Sequence, residues 1–458
     1  MSLGERLARL REQGLLPAAG GAAPAAREAA VSAGEAEPAS LAETLSGRLE
    51  TTPLGPAVLI ETHFSLEHGH GDAALAEATD LHPEHLAWLA AAPAGPDHSQ
   101  RTSYSDLRLQ DLTFWDTETS GLAGGTGSYV ILVGAGRFIQ SRFTVKQFVL
   151  PDLAANVEAP FLYAAMEALH QTPAWCTFNG RAFDASLLTT RLIMNRFPDG
   201  RNEAKPTAGC HFDLLHPARR LYRWELPQCT LALLEERLLG FTRQDDLPGA
   251  KVPVCFQQFL QDRRGSGLLP ILRHNLLDIL SLARLAAHLS RRAAAVNPAR
   301  GQYGSTIAHL TPGELYGLAR THIRHGNDTA ALRLFQRLHC HPHLQRSSNQ
   351  QLAHQVDLEF SLLLKRCGHW LHAEELLRSL ISTEPPNYRS FIALAKIIEH
   401  NRRHCREALE VVQQALSLAR RREQLGQPAP HSEMADLRHR AQRLLRKSAG
   451  SAYHIDSA

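Results

Sequence analysis

Among its seven cysteines the chain has no C-x-x-C pair. Cys176, Cys210, Cys229, Cys255, Cys340, Cys367 and Cys405 are scattered and odd in number. That pattern argues against a disulfide framework or a zinc knuckle and fits reduced thiols in the cytoplasm. The neighbours Cys210 and His211 lack a second pair at finger spacing, so they make a weak case for zinc. No run reaches the roughly 18 apolar residues of a membrane span. The opening carries Glu5, Arg6, Arg9, Arg11 and Glu12 and then an Ala/Gly/Pro stretch without a Leu-rich segment, unlike a secretory signal. A cytoplasmic protein with no membrane partner is expected. Charge of one sign is lacking too: 49 Lys and Arg against 46 Asp and Glu give a net charge of +3. Any affinity for nucleic acid must therefore come from where the charges sit.

What is present is length and pattern. A chain of 458 residues exceeds one ordinary core and calls for two or three domains. Leu3, Leu7 and Leu10 at helical spacing predict a short amphipathic segment over 1–16. Residues 17–50 begin with an Ala/Gly/Pro/Glu-dominated stretch and are expected to be a flexible linker. Residues 51–100 are expected to be a small extension packing on the core, with a strand at 55–64 and one or two helices over 73–91. A folded α/β unit is expected over 105–295. It opens with three consecutive strands joined by short links, hence antiparallel. A βαβα portion then runs through the strand Ala174 to Phe178 and a helix from about 184 to 196. Helices follow near 214–223, 229–239, 253–261 and 268–292. The remainder is helical. The blocks Gly326…Ala330-Ala331, Gly368…Ala373 and Arg403…Ala408 echo one another. They predict three degenerate tetratricopeptide-type hairpins over 311–420, followed by a basic helical tail over 421–458.

Three acidic signals come in order. Asp116 and Glu118 stand two apart at the end of a strand, so both point to one face. Two like charges that close repel unless a cation lies between them, and hard oxygen ligands favour Mg²⁺ or Mn²⁺. Asp184 follows a strand-to-helix turn, a place where an Asp alone would read as a helix cap. His274 and Asp278 stand four apart on a helix and share a face. Taken together, the strand end, the strand-to-helix turn and the late helix can converge at one sheet edge. Four carboxylates there can hold two cations about 4 Å apart, with His274 placed to take a proton from the attacking water.

The order D-x-E, F-D, H-x-x-x-D resembles the DEDD exonucleases of the ribonuclease H-like superfamily, and more closely the YprB-type ribonuclease H-like family. The runs that carry the likeness are FWDTETSGL from Phe114, FNGRAFD from Phe178, DLLHPAR from Asp213, RQDDLPG from Arg243 and HNLLDILSL from His274. The resemblance implies a mixed RNase H-like sheet flanked by helices, followed by an all-α repeat domain. It also implies a metal-dependent nuclease acting on single-stranded DNA or RNA, 3′→5′ in direction. Asp116, Glu118, Asp184 and Asp278 would ligate two Mg²⁺ or Mn²⁺ ions. DEDD exonucleases usually place Tyr four or His five positions before the last Asp; here His274 stands four before Asp278.

Basic and polar residues near such a centre are candidates for substrate contact: Arg181, Arg243, Thr126 and Asn179, with Arg219, Arg220, Arg223 and Lys251 in bordering segments. The Gly-rich stretch 121–127 lacks the Lys of a phosphate loop and reads as a turn whose amides could still meet a phosphate. Asp213 is a candidate supporting carboxylate, and Asp245 and Asp246 are candidates for a turn or an outer contact. Two functional classes stay open: a two-metal nuclease with a helical appendage, or a silent scaffold whose repeats bind a protein partner. Ligand types alone also leave room for a nucleotidase.

Overall fold

A computed structural model describes residues 38–90, 106–121, 127–197, 204–205, 210–296, 305–344, 350–382, 387–427 and 430–452. The expected segment 1–16, the first part of the expected linker, and Thr126 lie outside them.

The chain enters through helix α1 (Pro38–Thr44) and strands β1 (Arg48–Thr52) and β2 (Gly55–Ser65). Residues 38–50 are therefore not linker. Leu41, Ala42 and Leu45 are buried against the sheet, and that burial offsets the cost of ordering the segment. A two-stranded ribbon, β3 (Gly69–His70) and β4 (Ala73–Ala74), leads to a 3₁₀ turn at Leu75–Asp80 and helix α2 (Pro83–Ala90).

Next come β5 (Leu112–Thr119), β6 (Val130–Ile139), β7 (Arg142–Val149), α3 (Ala155–Leu169), β8 (Ala174–Thr177), α4 (Asp184–Met194), β9 (Cys210–Asp213) and α5 (Leu215–Tyr222). Helices α6 (Leu231–Leu238), α7 (Val252–Asp262) and α8 (Leu269–Ala294) complete this part. The sheet order is β1-β2-β7-β6-β5-β8-β9. β5, β6 and β7 form the expected antiparallel meander, while β8 and β9 run parallel to β5. Of the segment expected as an extension packing on the core, the first part joins the sheet, because β2 pairs with β7 from Val58↔Val149 to Ser65↔Arg142, while the 3₁₀ turn and α2 pack on α8.

The sheet is covered on both faces, so β5 is buried along nearly its whole length rather than at alternate residues. Trp115 and Trp175 pack on one side with Phe161 of α3 and Leu188 of α4. Phe114, Phe143 and Cys176 face the other way, onto Ile279 and Ala283 of α8. That second core continues without a break into the C-terminal helices, through Leu315, Phe335 and Phe391.

Those helices pair as α9 (Pro312–Arg324) with α10 (Asp328–His339), α11 (Gln350–Arg366) with α12 (Trp370–Ile381), and α13 (Tyr388–His400) with α14 (Cys405–Gln424). Helix α15 (His431–Ala452) closes the array against α14. Ala331, Ala373 and Ala408 are fully buried at equivalent places, where small side chains let paired helices approach. The three hairpin turns place Gly326, Gly368 and Arg403 at positive φ, 72°, 87° and 57°.

Candidate active site

The C-terminal end of β5 forms the floor of the site. Asp116 and Glu118 share the face that α8 covers, as their two-residue spacing demands. α8 approaches closely because β6 carries glycine opposite β5: Gly134 pairs with Asp116 and Gly136 with Phe114. A Cβ on Gly134 would lie 2.0 Å from Asn275 Oδ1, and one on Gly136 would lie 2.4 Å from Ile279 Cγ2. In that space Asn275 Nδ2 donates to Asp116 Oδ2 at 3.1 Å and to its carbonyl at 3.2 Å. Gln147 of β7 fixes the amide, donating to Asn275 Oδ1 at 3.0 Å and to the Leu272 carbonyl at 2.8 Å.

Asp184 arrives from the opposite face. Thr117, between the two acids, points to that side and donates its hydroxyl to Asp184 Oδ1. The turn before α4 is held by Asp213 at the end of β9. Its carboxylate accepts from the amides of Asn179 at 2.8 Å, Arg181 at 3.3 Å and Leu215 at 3.1 Å. Asn179 takes φ 64°, a left-handed conformation that Asn tolerates.

α8 brings Asp278 and His274. His274 Nδ1 lies 2.7 Å from Asp246 Oδ2. Burial pushes the Asp246 carboxyl up, and hydrogen bonds from Arg243 and His274 more than reverse this, so it is held below its ordinary value and ionised. An ionised carboxylate only accepts, which puts a proton on Nδ1 and turns Nε2 to the cleft. There Nε2 lies 3.7 Å from Asp278 Oδ2 and 3.9 Å from Glu118 Oε1. Arg243 binds the fully buried Glu235 through two hydrogen bonds of 2.6 and 2.7 Å, Asp246 at 2.9 Å, and Asp278.

The four predicted acids thus come from three elements and interact as charges. Burial raises Asp116 well above the ordinary carboxylate value, and the charges of Asp278, Asp184 and Glu118 add to it, against the Asn275 hydrogen bond. Burial likewise raises Glu118, helped by Asp278, Asp184 and Asp246 and opposed by Arg243. Asp184 is pushed up to about 6, by burial first, with Asp213 and Asp278 adding and the Thr117 hydrogen bond opposing. Asp278 is raised by burial despite Arg243 and His274.

A divalent cation fits this donor set. Ligand atoms of Glu118, His274 and Asp278 all lie within 4.8 Å of one another. Glu118 Oε1 is buried and has no hydrogen-bond partner among the described residues, an arrangement that a cation would satisfy.

The other candidates divide. Arg181 and Asn179 are exposed at the rim, tied to Asp213 through their amides alone. Arg243, expected to meet a substrate phosphate, is engaged by three carboxylates. Glu235, Asn275, Gln147 and Thr117 were not singled out from sequence. Asn275 sits inside the run HNLLDILSL and Thr117 between two singled-out acids, but their partners lie 159 and 67 residues away. Only the fold brings such pairs together.

Two comparisons with known proteins bear on this arrangement. Residues 113–290 match the RNase H superfamily. The chain is also 31% identical over 361 residues to the uncharacterised protein YprB of Bacillus subtilis, covering 78% of this chain and 79% of that protein.

Proposed function

Because the chain belongs to the YprB-type ribonuclease H-like family, we propose that it is a metal-dependent nuclease that hydrolyses phosphodiester bonds of single-stranded nucleic acid, as a 3′→5′ exonuclease. The observation that carries this reading is the cluster of Glu118, His274 and Asp278, whose ligand atoms lie within 4.8 Å of one another, with a buried Glu118 oxygen left unpartnered and the charges of Asp116 and Asp184 felt at the same site. These four residues would hold two Mg²⁺ or Mn²⁺ ions, which supply an activated water and charge for the leaving oxygen. His274, oriented by Asp246, presents Nε2 to the same cleft and takes the proton of the attacking water. Asn275 and Gln147 keep the Asp116 carboxylate in place, and Thr117 does the same for Asp184. Arg181 and Asn179 at the rim meet the substrate's phosphates. The helical hairpins are tetratricopeptide-like, and their stacked array offers a surface for a protein partner.

A second reading, a silent scaffold, draws support from Arg243, whose guanidinium already balances Asp278 without a metal. One experiment separates the two. The full-length protein is incubated with end-labelled single-stranded DNA and RNA in Mn²⁺, Mg²⁺ or EDTA, beside Asp116→Asn. Metal-dependent shortening from the 3′ end, lost in the variant, is the expected result. Intact strands under every condition, or undiminished turnover by Asp116→Asn, would overturn the nuclease.

A further inference from the structure

Away from the carboxylates, a cavity of about 620 Å³ opens between α5 and α9. Its walls carry five arginines: Arg219, Arg220 and Arg223 from the α5 side, and Arg320 and Arg324 from α9. Among the described residues, no acidic side chain lines it. Glu359 of α11 pairs with Arg320 at 3.3 Å and also accepts from the Tyr316 hydroxyl at 2.9 Å. Among the described residues, Arg320 is the one of the five arginines in an ion pair.

The fold forces this crowding. Gly317 of α9 lies against the backbone of α5, where a Cβ would sit 2.3 Å from the Arg220 carbonyl oxygen. The two helices therefore cross at near contact, and their arginine-bearing faces share one space. Arg220 is half-buried, and its Nη1 has no hydrogen-bond partner among the described residues. Burial, then the charges of Arg324 and Arg320, lowers its pKa to about 10. Arg324 is lowered by burial and by Arg320 and Arg223. Like charges held together at such a cost, with donors left open, call for a multiply charged anion. Guanidinium groups suit phosphate because their paired donors match its oxygens.

We propose that this cavity binds adjacent phosphate groups of a polyanion, and that during turnover it grips the nucleic-acid strand beyond the cleavage centre. Position supports the strand. α5 follows directly from Asp213, the carboxylate that shapes the Asn179–Arg181 rim, and His216 in its first turn also lines the cavity. At 1.5 Å per residue, α5 carries the arginines on the order of 10–15 Å from the end of β9, a distance that a few nucleotides cover. Assignment to the strand rests on the nuclease reading; binding of phosphates does not.

The test uses the full chain in EDTA and two probes. Inorganic triphosphate is titrated calorimetrically into the native chain, Arg220→Gln and Arg324→Glu. Saturable binding at one site is expected, with affinity falling as salt rises and weakened at least tenfold in each variant. Arg324 is exposed and its replacement relieves repulsion among the arginines, so Arg324→Glu should melt at or above the native temperature and remain informative if Arg220→Gln fails to fold. Absence of triphosphate binding, or native affinity in Arg324→Glu, would overturn the site. A labelled single strand is then bound to Asp116→Asn with and without Arg324→Glu. Competition with triphosphate and a tenfold weaker strand complex assign the cavity to substrate. Triphosphate binding that the strand neither displaces nor shares would overturn the strand assignment and leave a pocket for a free polyphosphate or nucleotide. Because neither probe is cleaved, failure of the nuclease reading and failure of the site give different results.

Discussion

Gly134 lies directly beneath Asn275: a Cβ at 134 would sit 2.0 Å from the Asn275 amide oxygen. The same β6 residue pairs with Asp116, so the bare backbone sets how closely α8 reaches the first carboxylate. Gly134→Ala should lift α8 at this point and break the Asn275–Asp116 bond. Overpacking of this kind costs roughly 1–3 kcal/mol. Denaturant melts should show that loss, and cleavage should fall further than Asn275→Ala alone reduces it.

The pH dependence of the metal-free protein follows from Asp184. Its folded pKa of about 6 lies above the ordinary 3.8. A carboxyl shifted upward binds its proton better when folded. Its stabilising contribution is therefore full below about pH 4 and is lost as pH rises through 6. Asp116, Glu118 and Asp278 shift in the same direction. In EDTA, Asp184→Asn should flatten the decline in melting temperature over this window and melt higher than the native chain at pH 7. Excess Mn²⁺ should raise the native melting temperature at pH 7 and leave the variant little changed. A variant that tracks the native curve would refute the assignment.

Asp246 acts through His274. Removing the imidazole, His274→Ala, should cut the cleavage rate by roughly 10²–10⁴-fold. Asp246→Asn keeps size and shape, but its amide can donate to Nδ1 and turn the ring's proton towards the cleft. Its maximal rate should fall towards that of His274→Ala, while the Mn²⁺ concentration for half-maximal activity stays near native. A raised Mn²⁺ requirement in either variant would instead make His274 a ligand.

Arg403 occupies the turn position that Gly326 and Gly368 fill in the other two hairpins, and it takes φ 57° there. A side chain in left-handed backbone costs about 1–2 kcal/mol, and the extra freedom of glycine when unfolded returns about 0.4–1 of that. Arg403→Gly should therefore stabilise the chain by up to about 1 kcal/mol in urea melts. The converse change, Gly368→Arg, should destabilise it.

Much of this was legible from spacing. Asp116 and Glu118 share a face because strands alternate, and His274 and Asp278 because helices repeat. The meander, the parallel β8 and the late helices followed from apolar runs and link lengths, and the hairpins from small residues at recurring offsets. The entry of 38–65 into the sheet was not legible. Its pairing with β7 is set some 80 residues away, and its composition follows an Ala/Gly/Pro run that suggests coil. Nor was the role of Arg243. A basic residue near acids reads as a phosphate contact until the fold shows Glu235, buried on another helix, holding it.

The Arg243–Asp278 ion pair has a thermodynamic consequence. Without metal, the guanidinium serves as a resident counter-ion, so the cleft is not an open electrostatic trap. On the metal-dependent reading proposed above, loading would be an exchange in which one cation gives up its hold on a carboxylate as another takes it. Glu235 and Asp246, which Arg243 also binds, would keep the displaced arginine tethered nearby. Apparent affinity for a divalent cation would then be the difference between two attractions. Such an exchange would trade binding strength for a centre whose Asp278 charge is balanced in either state.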